Sequence, residues 1–269
     1  MLRTSVTFLG TRGTVPVCDK NYIFYGGDTS CVAVRMGDEV LVLDGGTGIN
    51  RLENWLKPQE NHISLLLSHT HVDHIIGLPA AQLLYNSAFK CDIYGAKRDG
   101  LSVREQIDCL MNTPLWPVSS QAFSENIVFN DINKQSFNIG KVQVSTKEGN
   151  HPGGALLIKL SYNNKNIVYA TDYESTKEAD DKIAYFIQNA DLLIIDAQFV
   201  PCEKEKHKGF GHSTWQDAAQ LGKRCNVKEI RLFHHSPLRT DAQLSEIQAK
   251  LNTMYTNVVL AHSGEEIFI

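Results

Sequence analysis

The stretch Ser68-His69-Thr70-His71-Val72-Asp73-His74 puts three histidines and one carboxylate within six positions, directly after the apolar run at residues 63–67. A run that is apolar but for Ser64 suits a strand buried on both faces. The His-rich loop therefore leaves a strand end. Neutral imidazole and carboxylate are ligands suited to zinc and similar divalent ions. A loop leaving a strand can turn alternate side chains to different sides. His69 and His71 can then serve one metal while Asp73 and His74 serve a second. Ligand-type groups this dense, after a buried strand, disfavour a merely solvated turn.

Four further ligand-type positions recur at the ends of strand-like runs. His151 sits on the turn Asn150-His151-Pro152-Gly153-Gly154, and Asp172 ends Tyr169-Ala170-Thr171-Asp172. His212 precedes a helical stretch in Gly211-His212-Ser213-Thr214, and Leu232-Phe233-His234-His235-Ser236 ends in a pair of histidines. Singly, each reads as a cap or a surface residue. Together they fall at strand termini, where open-sheet proteins gather their sites.

The rest of the chain supplies the scaffold. Residues 6–9, 31–36 and 40–43 read as strands, with a Gly37-Asp38 hairpin turn between the last two. Residues 49–56 have helical spacing and stop before Pro58; 77–85 and 101–111 read as further helices. Strands follow at 127–129, 136–139, 141–146, 155–160 and 166–170, the last two joined by a turn at 163–166. Helices at 179–189, 214–222 and 241–254 alternate with strands at 192–195, 230–233 and 258–260. Ser213 or Thr214 can cap the second of these helices. Strands in runs with interspersed helices predict two sheets packed together and covered by helices.

These motifs resemble the metallo-β-lactamase superfamily over nearly the whole chain. His69-x-His71-x-Asp73-His74, then a lone His, a lone Asp and a final His, is similar to its binuclear metal pattern. Phe8-Leu9-Gly10-Thr11-Arg12-Gly13, Tyr25-Gly26-Gly27-Asp28-Thr29-Ser30, Asp44-Gly45-Gly46-Thr47-Gly48 and Phe233-His234-His235-Ser236-Pro237 resemble the phosphodiesterase branch. That branch includes cyclic-nucleotide-phosphodiesterase-like hydrolases and the tRNA 3′-processing endonuclease. The resemblance implies an α/β fold, an αββα four-layer sandwich of two mixed β-sheets flanked by helices, as one domain over residues 1–269.

It also implies the roles of single residues. His69, His71 and His151 would bind one metal, Asp73, His74 and His234 a second, and Asp172 would bridge them. His234 fits the ligand place better than His235 because Ser236 follows two residues on, leaving His235 outside the ligand set. Asp196 and His212 stand where the endonuclease has a carboxylate and the histidine it orients. The implied activity is hydrolysis of a phosphodiester in a small nucleotide, cyclic ones included, by a metal-bridging hydroxide. Asp73 would steer the nucleophile and His212, kept protonated by Asp196, would protonate the leaving alkoxide. The cofactors are two divalent ions, zinc or else manganese, and relatives suggest a homodimer.

Departures from the family narrow the reading. Long-armed tRNA endonucleases carry an insertion between the lone His and the bridging Asp, whereas His151 and Asp172 are only 21 positions apart. That disfavours tRNA 3′-end cleavage, which stays as an alternative. A lactone or thioester hydrolase and a non-catalytic metal-bound sensor are the others. Asp28 replaces the Asn usual in the branch. With a net charge of −4 the chain lacks the basic excess of a non-specific nucleic-acid coat. Lys204, Lys206 and Lys208 either draw an anionic substrate or form a solvated loop. Tyr22, Phe24, Trp116 and Phe210 read as packing more readily than as base-stacking platforms. Six scattered cysteines, with no C-x-x-C pair, predict reduced and mostly buried thiols in a cytoplasmic protein. No apolar run reaches the length of a membrane span, and the N-terminus shows no basic-then-apolar leader.

Overall fold

The computed structural model describes residues 4–269. Met1-Leu2-Arg3, part of the N-terminal segment expected to carry no leader, lie outside the described residues. The first sheet is built from β1 (Ser5–Gly10), β2 (Cys31–Met36), β3 (Glu39–Leu43), β4 (His62–Leu66), β5 (Lys90–Gly95) and β6 (Ile127–Asp131). The second holds β7 (Ser136–Ile139), β8 (Val142–Glu148), β9 (Leu156–Tyr162), β10 (Lys165–Ala170), β11 (Leu192–Asp196), β12 (Glu229–Phe233) and β13 (Val258–Leu260). A last strand, β14 (Glu266–Phe268), returns to the first sheet and pairs antiparallel with β1.

Each sheet starts as an antiparallel meander and continues as parallel strands. The orders are β14-β1-β2-β3-β4-β5-β6 and β13-β12-β11-β10-β9-β8-β7, with β3 to β6 and β10 to β13 parallel. Between the sheets lies an apolar layer that includes Val6, Phe8, Val32, Leu41, Ile158, Tyr169, Ile194 and Phe233. The outer face of the second sheet is covered by α4 (Lys177–Ile187), α5 (Trp215–Arg224) and α6 (Asp241–Met254). That of the first is covered by short elements, α1 (Leu52–Trp55), α2 (Val72–Ile75) and α3 (Val103–Leu110). The result is the four-layer αββα sandwich. Among the described residues no helix is long and apolar enough to cross a membrane.

Local signals account for most boundaries. Ser102 and Glu105 form a capping box on α3, Thr240 and Gln243 one on α6, and Thr214, not Ser213, caps α5. The helix expected over residues 77–85 is absent; two 3₁₀ turns, Leu78–Ala80 and Gln82–Tyr85, replace it around an extended Ala81. Gly77 donates to the Gly45 carbonyl 3.0 Å away, and a Cβ there would come within 2.1 Å of the Gly46 carbonyl oxygen. Close docking on that turn, with Pro79 lacking an N–H, leaves no room for an α-helix. The turn between β9 and β10 is shorter than expected, only Asn163-Asn164, both with positive φ. Strands β5 and β14 carry no strong sequence signal: Lys90 and Asp92 interrupt the first, and the second is a three-residue edge. The thiols are half rather than mostly buried, since Cys18, Cys109 and Cys202 are exposed and all six are free.

Candidate metal centre

The C-terminal ends of β3, β4, β8, β10, β11 and β12 open onto one edge of the sandwich, and all the predicted site residues hang from them. Three strand-end residues adopt a left-handed backbone: Asp44 (φ 62°), Asp172 (φ 50°) and His234 (φ 60°). This conformation is uncommon for residues with a Cβ, and surrounding structure must hold it in place. It turns each side chain from the strand end back into the site.

Three overlapping groups of ligand-type atoms meet around Asp172. His69, His71, His151 and Asp172 form one, Asp73, His74 and His234 another, and a third joins Asp172 and His234 to Asp196 and His212. Asp172 Oδ2 lies 3.7 Å from His69 Nε2 and 3.6 Å from His151 Nε2. Its other oxygen, Oδ1, lies 3.1 Å from His74 Nε2 and 3.2 Å from His234 Nε2. Asp73 Oδ2 completes the second group, 3.3 Å from His74 Nε2 and 3.1 Å from His234 Nε2. Tetrahedral ligands at zinc distances stand roughly 3.3 Å apart, so these spacings suit a divalent cation in each of the first two groups. Buried atoms left without a hydrogen bond say the same: His69 Nε2 and His74 Nε2 both face Asp172.

The remote ring nitrogens are fixed. His69 Nδ1 donates to Ser68 Oγ at 3.1 Å, and His151 Nδ1 to the Gly211 carbonyl at 3.0 Å. His74 Nδ1 donates to Asp44 Oδ2 at 2.7 Å. Asp44 is fully buried and also accepts from Ser68 N, Ser68 Oγ and Tyr169 OH at 2.7, 2.8 and 2.9 Å. Such partners fix which nitrogen faces a metal and raise its basicity. Asp44 stood in the sequence only as part of a Gly-rich turn. Two other supports were also missed, the Thr14 N–H on Asp73 Oδ2 at 2.7 Å and Glu174. Glu174 accepts from Gly209 N and Gly211 N, holding the loop whose carbonyl fixes His151.

Charge distributes unevenly over the two groups. Burial lowers the pKa of His69 well below its usual value and, to a lesser degree, those of His71 and His151, so they are neutral donors. His74 is also buried, but Asp172, Asp73 and Asp44 overrule burial and hold it protonated. Asp73 and Asp172 stay ionised despite burial because histidines surround them.

Beside the second group stands the predicted dyad. His212 Nδ1 donates to Asp196 Oδ2 at 2.7 Å, while Asp196 Oδ1 accepts from Gln198 N and Ser213 N. The His212 ring stacks on His234 at 5.0 Å between centroids. Burial opposes its charging, yet Asp196, then Asp172 and Asp73, raise its pKa to about 9. His235 points elsewhere: its Nε2 donates to the Ala261 carbonyl at 2.7 Å, and burial lowers its pKa to about 3. Asp28 pairs with Arg51 at 2.7 Å and accepts from Thr47 Oγ1, on the outside of the turn. Of the four aromatics, Trp116 joins the first sheet's outer core and Tyr22 lies over Arg12, while Phe24 and Phe210 are exposed.

Residues 41–235 match the family model described as a beta-lactamase superfamily domain. The ribonuclease Z of Archaeoglobus fulgidus is 25% identical, over 95% of this chain and 94% of its own. That alignment runs over 311 positions, more than the 269 residues here, so the relative carries segments this chain lacks. Among solved structures, the metallo-beta-lactamase fold protein YhfI from Bacillus subtilis superposes with a TM-score of 0.77 at 21% identity, over 99% of both chains. The short form of human tRNase Z gives a TM-score of 0.68 at 23% identity, over 98% of both chains.

Proposed function

The chain belongs to the beta-lactamase superfamily, and from that premise we propose that it is a binuclear metal-dependent phosphodiesterase. The observation that carries this reading is the His212–Asp196 dyad, 2.7 Å apart and stacked beside the second ligand group. A pure metal-binding sensor has no need of a protonated imidazole there. An alkoxide leaving from phosphorus does, because its conjugate alcohol is a very weak acid. Two divalent cations, when bound, lower the pKa of water towards neutrality and neutralise charge gathering on the phosphoryl oxygens.

His69, His71 and His151 would hold one cation, Asp73, His74 and His234 the other, with one oxygen of Asp172 for each. Asp73, anchored by the Thr14 N–H, is placed to orient a water for attack. Asp196 takes the Nδ1 proton of His212 in a hydrogen bond and favours the imidazolium, whose Nε2 proton would pass to the leaving oxygen as the phosphorus–oxygen bond breaks.

Two substrate classes fit. Alignment over nearly the full length of proteins named ribonuclease Z supports RNA, and the expectation of a small substrate yields to that extent. The two-residue β9–β10 turn, between His151 and Asp172, supports a small nucleotide, since no arm grips a longer one there. The deciding experiment has two stages. Zinc- or manganese-loaded protein should hydrolyse bis(p-nitrophenyl) phosphate, and Asp73→Ala should not. A 3′-extended tRNA and cyclic mononucleotides are then compared by kcat/KM. Inactivity of fully loaded wild type on all of them would overturn the reading in favour of a carbon-ester hydrolase or a sensor.

A further inference from the structure

The fold separates the three lysines that precede His212. Lys204 Nζ lies 2.9 Å from Asp217 Oδ2 and is taken up there. Lys206 does not border the cavity beside His212. Lys208 does, and makes no ion pair among the described residues. This cavity holds about 220 Å³, between the turn after Asp172, the 204–208 segment and the start of α5. His212 forms part of its wall, and none of the seven residues assigned to the cations does.

We propose, resting on the phosphodiesterase reading, that this cavity is the leaving-group subsite and takes a single neutral nucleoside. Position gives the first half of the argument. A general acid must lie within hydrogen-bond reach of the departing oxygen. The phosphoryl group belongs among the ligand residues, so what lies on the far side of His212 is the group that departs with its proton.

Charge and size give the second half. Glu174 is occupied by the N–H groups of Gly209 and Gly211, and Asp217 by Lys204 and the Thr214 hydroxyl. That leaves Lys208 and Glu205, of opposite sign, facing the same space. A lining with three carboxylates, Glu174, Glu205 and Asp217, against two lysines offers a donor and an acceptor but no positive field for a second phosphate. His207 stacked on Phe199, 4.3 Å apart and 12° from parallel, makes a flat wall. The volume is below the roughly 300–1,000 Å³ of drug-sized ligand sites, so it suits one small group.

The test compares three substrates: bis(p-nitrophenyl) phosphate, the dinucleotide ApA, and ApA phosphorylated at both ends. Lys208 and Glu205 are exposed, so Lys208→Ala and Glu205→Ala leave the fold intact. Each should lower kcat/KM for ApA about tenfold more than for bis(p-nitrophenyl) phosphate, chiefly through KM. Wild type should not prefer the phosphorylated dinucleotide. A Lys208-dependent preference for it would overturn the neutral-nucleoside assignment. Equal effects of the variants on ApA and bis(p-nitrophenyl) phosphate, or a wild type that cleaves the latter but not ApA, would overturn the subsite. Failure of wild type on all three overturns the phosphodiesterase reading itself.

Discussion

The two halves of the metal centre are built to different standards of rigidity. Asp73, His74 and His234 are all buried; the two histidines are backed by the buried strand-end carboxylates Asp44 and Asp196, and Asp73 by the Thr14 N–H. His71 is exposed, and the buried His151 ring is fixed by one carbonyl of a surface loop. Their electrostatics differ in the same sense. Three carboxylates surround His74 and hold a proton where a cation would sit, whereas the three histidines of the other half are neutral. The buried half should therefore hold its cation more tightly, and the open half should exchange first. Asp172 alone belongs to both.

Removing the shared group should erase that contrast. Asp172→Asn is expected to abolish hydrolysis and lower metal content towards zero, because each half loses a charged oxygen. Metal analysis after gel filtration checks it, and retention of one full equivalent would show that the halves do not depend on a common bridge.

Asp44→Asn should strike the buried half hardest, since it meets His74 directly and His69 only through Ser68. Its carboxylate takes four donors, and an amide nitrogen cannot accept from any of them. Loss of such a supporting group typically costs about 10–100-fold in metal affinity or activity. Unpaired buried donors should add about 1–3 kcal/mol of lost stability. Stepwise metal titration should show the tighter site weakened more than the looser one, which Asp44 reaches only through Ser68. Equal weakening of both would mean that Asp44 supports the whole edge and not one half.

Gly211→Ala should strike the open half. Its φ is +87°, and a Cβ there would approach His151 Nδ1 to 2.0 Å. The loop must move, and the bond that holds His151 goes with it. We expect about tenfold weaker binding of the looser metal, with the tighter one unaffected. Cobalt substitution followed by absorption spectroscopy distinguishes the two positions.

The ligands of both halves were legible in sequence and their supports were not, and the reason is separation along the chain. His69, His71, Asp73 and His74 announce themselves because their spacing is local. Asp172 and His234 followed as carboxylate and imidazole ending apolar strands. What supports them was hidden. Asp44 meets His74 across 30 residues and Thr14 meets Asp73 across 59. The left-handed backbone at Asp44, Asp172 and His234 has no residue-level signature, since Asp and His carry no glycine-like marker of positive φ. Element boundaries show the same divide. Helix α6 coincides with its apolar spacing and capping box, while the 77–85 segment was bent by docking on a turn 32 residues earlier, at Gly45.

Asp28 provides the control for the comparison. It faces neither ligand group; its oxygens meet Arg51 and Thr47, with 53% of the Arg51 side chain and 28% of its own exposed. Exposed pairs of this kind contribute about 0–1 kcal/mol, and an asparagine still accepts from Thr47. Asp28→Asn should therefore lower stability by less than about 1 kcal/mol and leave both metal affinities and the rate on bis(p-nitrophenyl) phosphate where they were. Thermal melts and the same titrations check this. A selective loss of the tighter metal would show that rigidity in the buried half reaches outward through Thr47 and Gly46, whose Cβ position lies 2.4 Å from the Asp73 carbonyl oxygen. The division between the halves would then follow the first sheet's turns rather than burial alone.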